Sequence, residues 1–378
     1  MILGTGRSGL AGKEVTLRPD TTRGTLPHLR GAAPNTTTLN HTQVARMVAV
    51  GAAHARAVLS VAVAPPLFIS SSYDGAVKIW NHEPSSSSLS LLQTLTAESH
   101  ENGAVFSLAA TRSTDDELLV CAGDYSRRIR VFSCSQSSSR TLWTSTQHTG
   151  WVRALAIGSS SRLYSIGCNR ILGWSLDTHN DDDSRVWDSE TAIFEDVEEV
   201  RSHDILCLAH SDPHELLAAG NVDGALRSWS TAGSVDGVEA PFEWRSKLTS
   251  GVVDGAARHW IGHDDRVASV AWRDDGSLLS AGYDGFVRAW KVDGTMIAER
   301  RVAAGDASGS GGRALALAVD DNRVYCGTSD GTLVTLEGDD LALHDDALLV
   351  DGGRVTAVAT LAPGVVVVGD SEGALRVV

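Results

Sequence analysis

Apolar residues along this chain fall in short runs cut off by polar turns, without the three- and four-residue spacing of a helix face. The stretch from Gly262 to Trp290 is the clearest instance. Val267 to Trp272 forms one run, Leu278 to Gly282 a second and Phe286 to Trp290 a third, with Tyr283-Asp284-Gly285 between the last two. Asp-Gly between apolar runs predicts a tight hairpin, because Gly accepts the positive φ that the turn demands and Asp tolerates it. The segment therefore reads as three short antiparallel strands in fewer than thirty residues.

The pattern recurs along the chain. A turn residue and the residue closing the next run stand six positions apart at Asp74 and Trp80, Ser126 and Phe132, Cys168 and Trp174, Asp223 and Trp229, Asp284 and Trp290, Asp330 and Leu336, and Glu372 and Val378. A histidine precedes the first run in five of the seven units: His54, His100, His148, His203 and His263. The last two units lack it and begin at Gly312 and Gly353. A fixed unit repeated seven times predicts an array of small sheets, each burying its faces against its neighbours.

Gly-His, Ser-x-Gly-x-Asp and a closing Trp together resemble one repeat of the WD-repeat, or transducin β-subunit-like, β-propeller family. The resemblance covers about residues 44–378 and implies an all-β, seven-bladed propeller. It also implies a hydrogen-bonded tetrad in each complete blade: His54, Ser70, Asp74 and Trp80 in the first, His263, Ser280, Asp284 and Trp290 in the fifth. The other blades depart from the pattern, and packing and strand ladders alone are expected to hold them. The last unit stops at its third strand, so the strand-like run Val44 to Val50 is predicted to pair with it and close the ring. The domain reading is a disordered tail over residues 1–40 and a propeller over 41–378, with long insertions at 175–202 and 230–261. One strand within each insertion, including Ala257 to Trp260 in the second, is expected to form the outer strand of its blade.

Composition narrows the function. The 378 residues are 42% hydrophobic, include 37 glycines and carry a formal charge of −15. An acidic chain does not present the broad basic surface that nucleic acid requires, so none is expected as a partner. Ten carboxylates between Asp177 and Glu199, against Arg185 and Arg201, make the first insertion net −8, which reads as a solvated loop or as a docking segment for a basic partner. No calcium-loop spacing occurs there, and neither a metal nor a cofactor is expected. Five cysteines without a C-x-x-C pair read as small buried hydrophobes in a reducing compartment. No apolar run is long enough for a membrane span, and no apolar signal core follows Met1. The expected location is cytoplasmic or nuclear, or an organelle if residues 1–40, with five Arg and Lys, are a transit peptide.

Propellers of the resembled family generally bind peptides or proteins on the face carrying the turn between second and third strands. On that face this sequence places Tyr73, Tyr125 and Tyr283 just before the turn marker, and Trp151, Arg266, Arg313 and Arg354 just before the first strand. Three arginines at one repeat position predict an arc for an acidic or phosphorylated peptide, with rigid aromatic contact area opposite. The competing reading pairs these arginines with Asp264, Asp265, Asp320 and Asp351. No nucleophile elbow, phosphate loop, H-E-x-x-H or dinucleotide fingerprint occurs, so the expected role is a non-catalytic scaffold or adaptor, a monomer within a larger complex of protein partners. The alternative is an enzyme or small-ligand binder using the central funnel.

Overall fold

In the computed structural model the described residues are 48–50, 52–83, 88–95, 103–113, 116–135, 138–158, 162–167, 170–176, 187–195, 205–231, 258–303, 312–321, 323–344, 348–350 and 353–378. All lie within one compact unit, Gln43–Val378. The predicted tail, most of both insertions, His100, His203, Cys168 and Asp351 lie outside the described residues.

The strands form seven antiparallel sheets; six run inner, second, third, outer in chain order, and the seventh runs inner, second and third in chain order and takes its outer strand from residues 48–50. Blade one is Val58–Ala64, Leu67–Ser72, Val77–Glu83 and Ser88–Leu95. Blade five is Val267–Trp272, Leu278–Gly282, Phe286–Trp290 and Met296–Arg301. The seven inner strands touch one another in a closed cycle, the inner strand of blade seven, Val355–Ala362, returning to that of blade one. This is a seven-bladed β-propeller. Val48–Val50 pairs antiparallel with Leu375–Val377, so a strand from near the chain's start closes the last blade as the sequence predicts. Trp187–Glu195 and Arg258–Ile261 supply the outer strands of blades three and four. Blade six builds its outer edge from two fragments, Ala342–Leu343 and Leu348–Leu349, on one third strand.

No blade has a core of its own. Seven apolar clusters sit one at each seam, and side-chain alternation along the strand explains them. In blade one, Phe68 faces the seam with blade seven while its neighbour Ile69 faces blade two. Second strands are therefore buried on both sides and read as continuous apolar runs, not as alternating ones. The closing residue of each third strand faces the preceding blade: Trp80 faces blade seven, Phe132 blade one and Trp174 blade two.

Polar side chains buried at the same seams form directed chains. In blade one Trp80 Nε1 donates to Ser70 Oγ at 2.8 Å, Ser70 meets His54 Nε2 at 2.7 Å, and His54 Nδ1 meets Asp74 at 3.1 Å. A neutral His that donates through Nδ1 and accepts at Nε2 satisfies every member. Blade five repeats the chain through Trp290, Ser280, His263 and Asp284, with Arg288 adding a 2.6 Å bond to Asp284. Burial holds the pKa of His54 below its ordinary value despite the attraction of Asp74. Burial works against ionisation of Asp284, but hydrogen bonds from His263 and Arg288 outweigh it and hold the carboxyl far below the usual carboxylate range.

The expectation that the remaining blades rely on packing alone is wrong in three of them. Blade three keeps most of the chain, with Trp174 Nε1 and His148 Nε2 meeting Ser165 Oγ at 2.7 and 2.8 Å. Its turn is shorter by one residue, since Gly167 pairs directly with Arg170. The six-residue spacing fails there, and the residue four beyond Ser165 is Asn169, not Cys168. Blade seven, which lacks the histidine, has an ion pair in its place, and the described part of blade two carries a matching pair. Asp124 accepts Arg130 Nη2 at 2.7 Å, and Asp370, fully buried, accepts Arg376 Nη1. Each Asp also caps its own turn through Oδ1, Asp124 to the Arg128 amide and Asp370 to the Glu372 and Ala374 amides, at 2.9 Å.

Arg376→Ala leaves the Asp370 carboxylate buried without its counter-ion and should cost about 3 kcal/mol in denaturant unfolding. Arg112→Ala, at a pair with the exposed Asp116, should cost under about 1 kcal/mol. Because the folded pKa of His54 lies below its unfolded value, the unfolded state binds more protons as pH falls through about 6.5. Stability should therefore fall as pH drops below about 6.5, and His54→Gln should flatten that part of the profile. The depressed carboxyls of Asp74 and Asp284 contribute stability above their unfolded values, and this is lost below about pH 4.

Candidate functional site: the turn-bearing face

On one face of the ring, each second-to-third turn lies beside the link that leads into the inner strand of the same blade. A backbone bond repeats this in five blades: the amides of Tyr73, Tyr125, Tyr283, Ser329 and Ser371 donate to the carbonyls of Ala57, Ala104, Arg266, Arg313 and Arg354 at 2.8–3.0 Å. The two repeat positions singled out from the sequence are thus hydrogen-bonded neighbours. Trp151 stands at the link position of blade three, immediately before Val152–Ile157.

The structure gathers the aromatic candidates and adds one. Tyr73, Tyr125 and Trp151 are exposed by 45%, 49% and 39%, high values for such large apolar side chains, and all three pack on Phe106. Tyr73 stands nearly perpendicular to Phe106, at 79° with centroids 5.8 Å apart. Trp151 lies nearly parallel to Phe106, at 18° and 5.6 Å, and Tyr125 tilts 30° from Trp151 at 4.7 Å. Arg153 rests over the Trp151 ring at 5.2 Å. Phe106 and Arg153 share the second position of the inner strand in blades two and three, where Leu59 stands in blade one. Comparing repeats at that column would have found them.

Across the ring, Arg266 and Arg313 both lie against the Tyr283 ring, at 6.0 and 4.7 Å. Tyr283 meets Arg313 of the next blade as Tyr125 meets Trp151, so one seam position carries aromatic contact on one side of the ring and cationic contact on the other. All three arginines are exposed. Arg354 has a backbone bond to Ser371 Oγ at 3.1 Å, and no ring contact brings it to Tyr283. Among the described residues, Asp264, Asp265 and Asp320 make no ion pair with the three arginines. The Asp264 amide caps Asp284, Asp265 accepts the Arg266 amide, and Asp320 closes the far end of the inner strand that begins beside Arg313, accepting the Gly364 amide.

Other candidate chemistry is sparse. Cys121, Cys134, Cys207 and Cys326 are buried, and burial pushes the first three thiols up to about 12 and the fourth higher, so none is a thiolate at neutral pH. Among the described residues no group of three or more His, Cys, Asp or Glu could hold a metal ion, and no helix is long and apolar enough to cross a membrane. A shallow open depression lies at the opposite ends of the inner strands, lined by Trp272, Asp320, Thr360 and Pro363 among others.

Three stretches, residues 46–81, 194–230 and 248–291, match the WD domain, G-beta repeat family. The F-box-like/WD repeat-containing protein TBL1X of Mus musculus is 30% identical over 100 residues, covering 26% of this chain and 18% of that protein. Its Homo sapiens counterpart is 29% identical over 26% of this chain and 16% of its own length. The ribosome biogenesis protein WDR12 homolog of Chlamydomonas reinhardtii is 25% identical over 238 residues, 61% of this chain and 41% of that protein. The chain thus spans under half the length of the curated relatives it matches. With seven blades, buried Trp-Ser-His-Asp chains and these matches, the chain is a seven-bladed β-propeller that carries WD repeats.

Proposed function

We propose that this propeller is a non-catalytic platform that binds protein partners on its turn-bearing face, with an acidic or phosphorylated segment lying across blades five to seven. The observation that carries the reading is the division of that face. Exposed aromatic rings cover blades one to three, while Arg266 and Arg313 flank Tyr283 across blades five and six. Cation–π contact holds the two guanidiniums without consuming the N–H donors that would bind carboxylate or phosphate. The two kinds of relative carry different descriptions, one F-box-like and one of ribosome biogenesis, so the partner's chemistry is read from this face.

Affinity capture from native extract, with mass spectrometry, compares the intact chain with Arg266→Ala/Arg313→Ala/Arg354→Ala. The expected result is a stable protein partner retained by the intact chain and lost from the triple variant. Capture unchanged by the triple substitution would remove the arginine arc from the site. Absence of any partner with either form would favour the alternative, a catalytic or small-ligand role for the central funnel.

A further inference from the structure

We infer that the anion site of this face is a cluster of three arginines, Arg266, Arg301 and Arg313, gathered around the hairpin turn of blade five, and that it takes a phosphomonoester on a partner segment. The inference rests on the platform reading above and adds Arg301, which stands outside the two repeat positions. The turn Tyr283-Asp284-Gly285-Phe286 has an aromatic ring at each end, and each ring carries two guanidiniums. Arg266 and Arg313 lie 6.0 and 4.7 Å from the centre of Tyr283, and Arg301 and Arg288 lie 5.9 and 4.7 Å from that of Phe286. Arg301 reaches Phe286 because it ends the outer strand directly opposite, where Phe286 begins the third. A Cβ at Gly285 would lie 2.6 Å from the Gly312 carbonyl and 3.0 Å from that of Ala303, so the turn is wedged against both segments that bear Arg313 and Arg301. Of the four arginines, Arg288 is committed to the fold: it is buried and donates to Asp284 and Glu299. The other three are exposed, and among the described residues none of them makes an ion pair. Arg301 donates through Nε alone, to the Ala303 carbonyl at 3.2 Å, which fixes the side chain and leaves both Nη groups of its fork to a ligand.

Charge decides the occupant. A basic segment is repelled by three guanidiniums that have no counter-ion. Asp264 and Asp265, both exposed, stand beside Arg266 in sequence, and Asp265 accepts the Arg266 amide at 2.7 Å. A lone carboxylate would engage one fork and meet those two like charges. A phosphomonoester carries a charge of about −1.5 to −2 and three acceptor oxygens, so it engages forks from more than one arginine at once. A nucleic-acid strand offers phosphodiesters of one charge each and brings many of them to a chain of net charge −15, which repels it as a whole.

The test is fluorescence anisotropy on the full chain with a labelled Gly-Ala peptide carrying one phosphoserine, beside the same peptide with Glu or Ser at that position. Saturable binding of the phosphoserine peptide is expected, about tenfold or more tighter than the Glu peptide, with none of the Ser peptide. Arg301→Ala and Arg313→Ala should each weaken it about fivefold or more, and Arg301→Lys should do so less, because an ammonium keeps the charge without the fork. Arg354→Ala should change it by less than about twofold, since no ring contact brings Arg354 to this turn. Thermal unfolding checks that each variant is folded. No saturable binding of the phosphoserine peptide would overturn the cluster. So would equal binding of the Glu peptide, binding indifferent to Arg301→Ala in a folded variant, or a larger loss from Arg354→Ala than from Arg301→Ala. Tighter, arginine-dependent binding to phosphatidylcholine vesicles containing phosphatidic acid would overturn a partner segment as the source of the phosphate. A captured partner lost from Arg266→Ala/Arg313→Ala/Arg354→Ala, together with no phosphoserine binding, would overturn this inference and leave the platform reading standing. Absence of any captured partner would count against that reading whatever the peptide does.

Discussion

The structure depends on one backbone contact that recurs in five of the blades: the second-to-third turn rests against the link that enters the next blade. At Gly285, with φ +83°, a Cβ would lie 2.6 Å from the Gly312 carbonyl of the following link, and at Gly373, with φ +89°, 2.4 Å from that of His54. Glycine meets both demands there, a left-handed φ and the close approach of another backbone. The approach creates hydrogen bonds as well. The His54 amide donates to the Gly373 carbonyl at 2.9 Å, and the Val302 amide to that of Gly285 at 2.9 Å. Blade seven thereby meets blade one by the same contact that joins interior neighbours.

This contact sets the spacing at which each seam fills with side chains from two blades, and it explains why the polar chemistry of the blades is interchangeable. Trp80, Ser70, His54 and Asp74 tie a third strand to a second strand and an incoming link. The pairs of Asp124 with Arg130 and Asp370 with Arg376 tie a third strand to the end of a second strand, and the same Asp caps the turn. Both arrangements give a carboxylate at the turn its hydrogen-bond donors and fix the turn, so blade seven, whose sequence lacks the histidine, keeps the same geometry. With every cluster shared between neighbours, stability belongs to the ring as a whole.

The same geometry turns repeat columns into a binding surface. Because the position before the turn and the position before the inner strand are hydrogen-bonded in blade after blade, whatever side chains occupy them are displayed in a ring. Function can then be written into those columns without disturbing the seams beneath. Here aromatic side chains fill one arc and arginines another.

The sequence by itself determined the strand periodicity, the blade count, the closing strand at Val48–Val50 and which residues share the turn-bearing face, because a period-two apolar run and an Asp-Gly turn are local and recur at a readable interval. It misplaced the blade-three marker at Cys168, because a fixed spacing cannot register a turn shortened by one residue. Only the tertiary structure decided which side chains meet across a seam. That Phe106 joins Tyr73 to Trp151, that Arg266 and Arg313 share Tyr283, and that Asp370 pairs with Arg376 follow from distances between blades, which no spacing within one repeat encodes. Asp320 lies near Arg313 in sequence yet at the opposite end of a strand, since an extended chain carries neighbours apart by about 3.3 Å per residue.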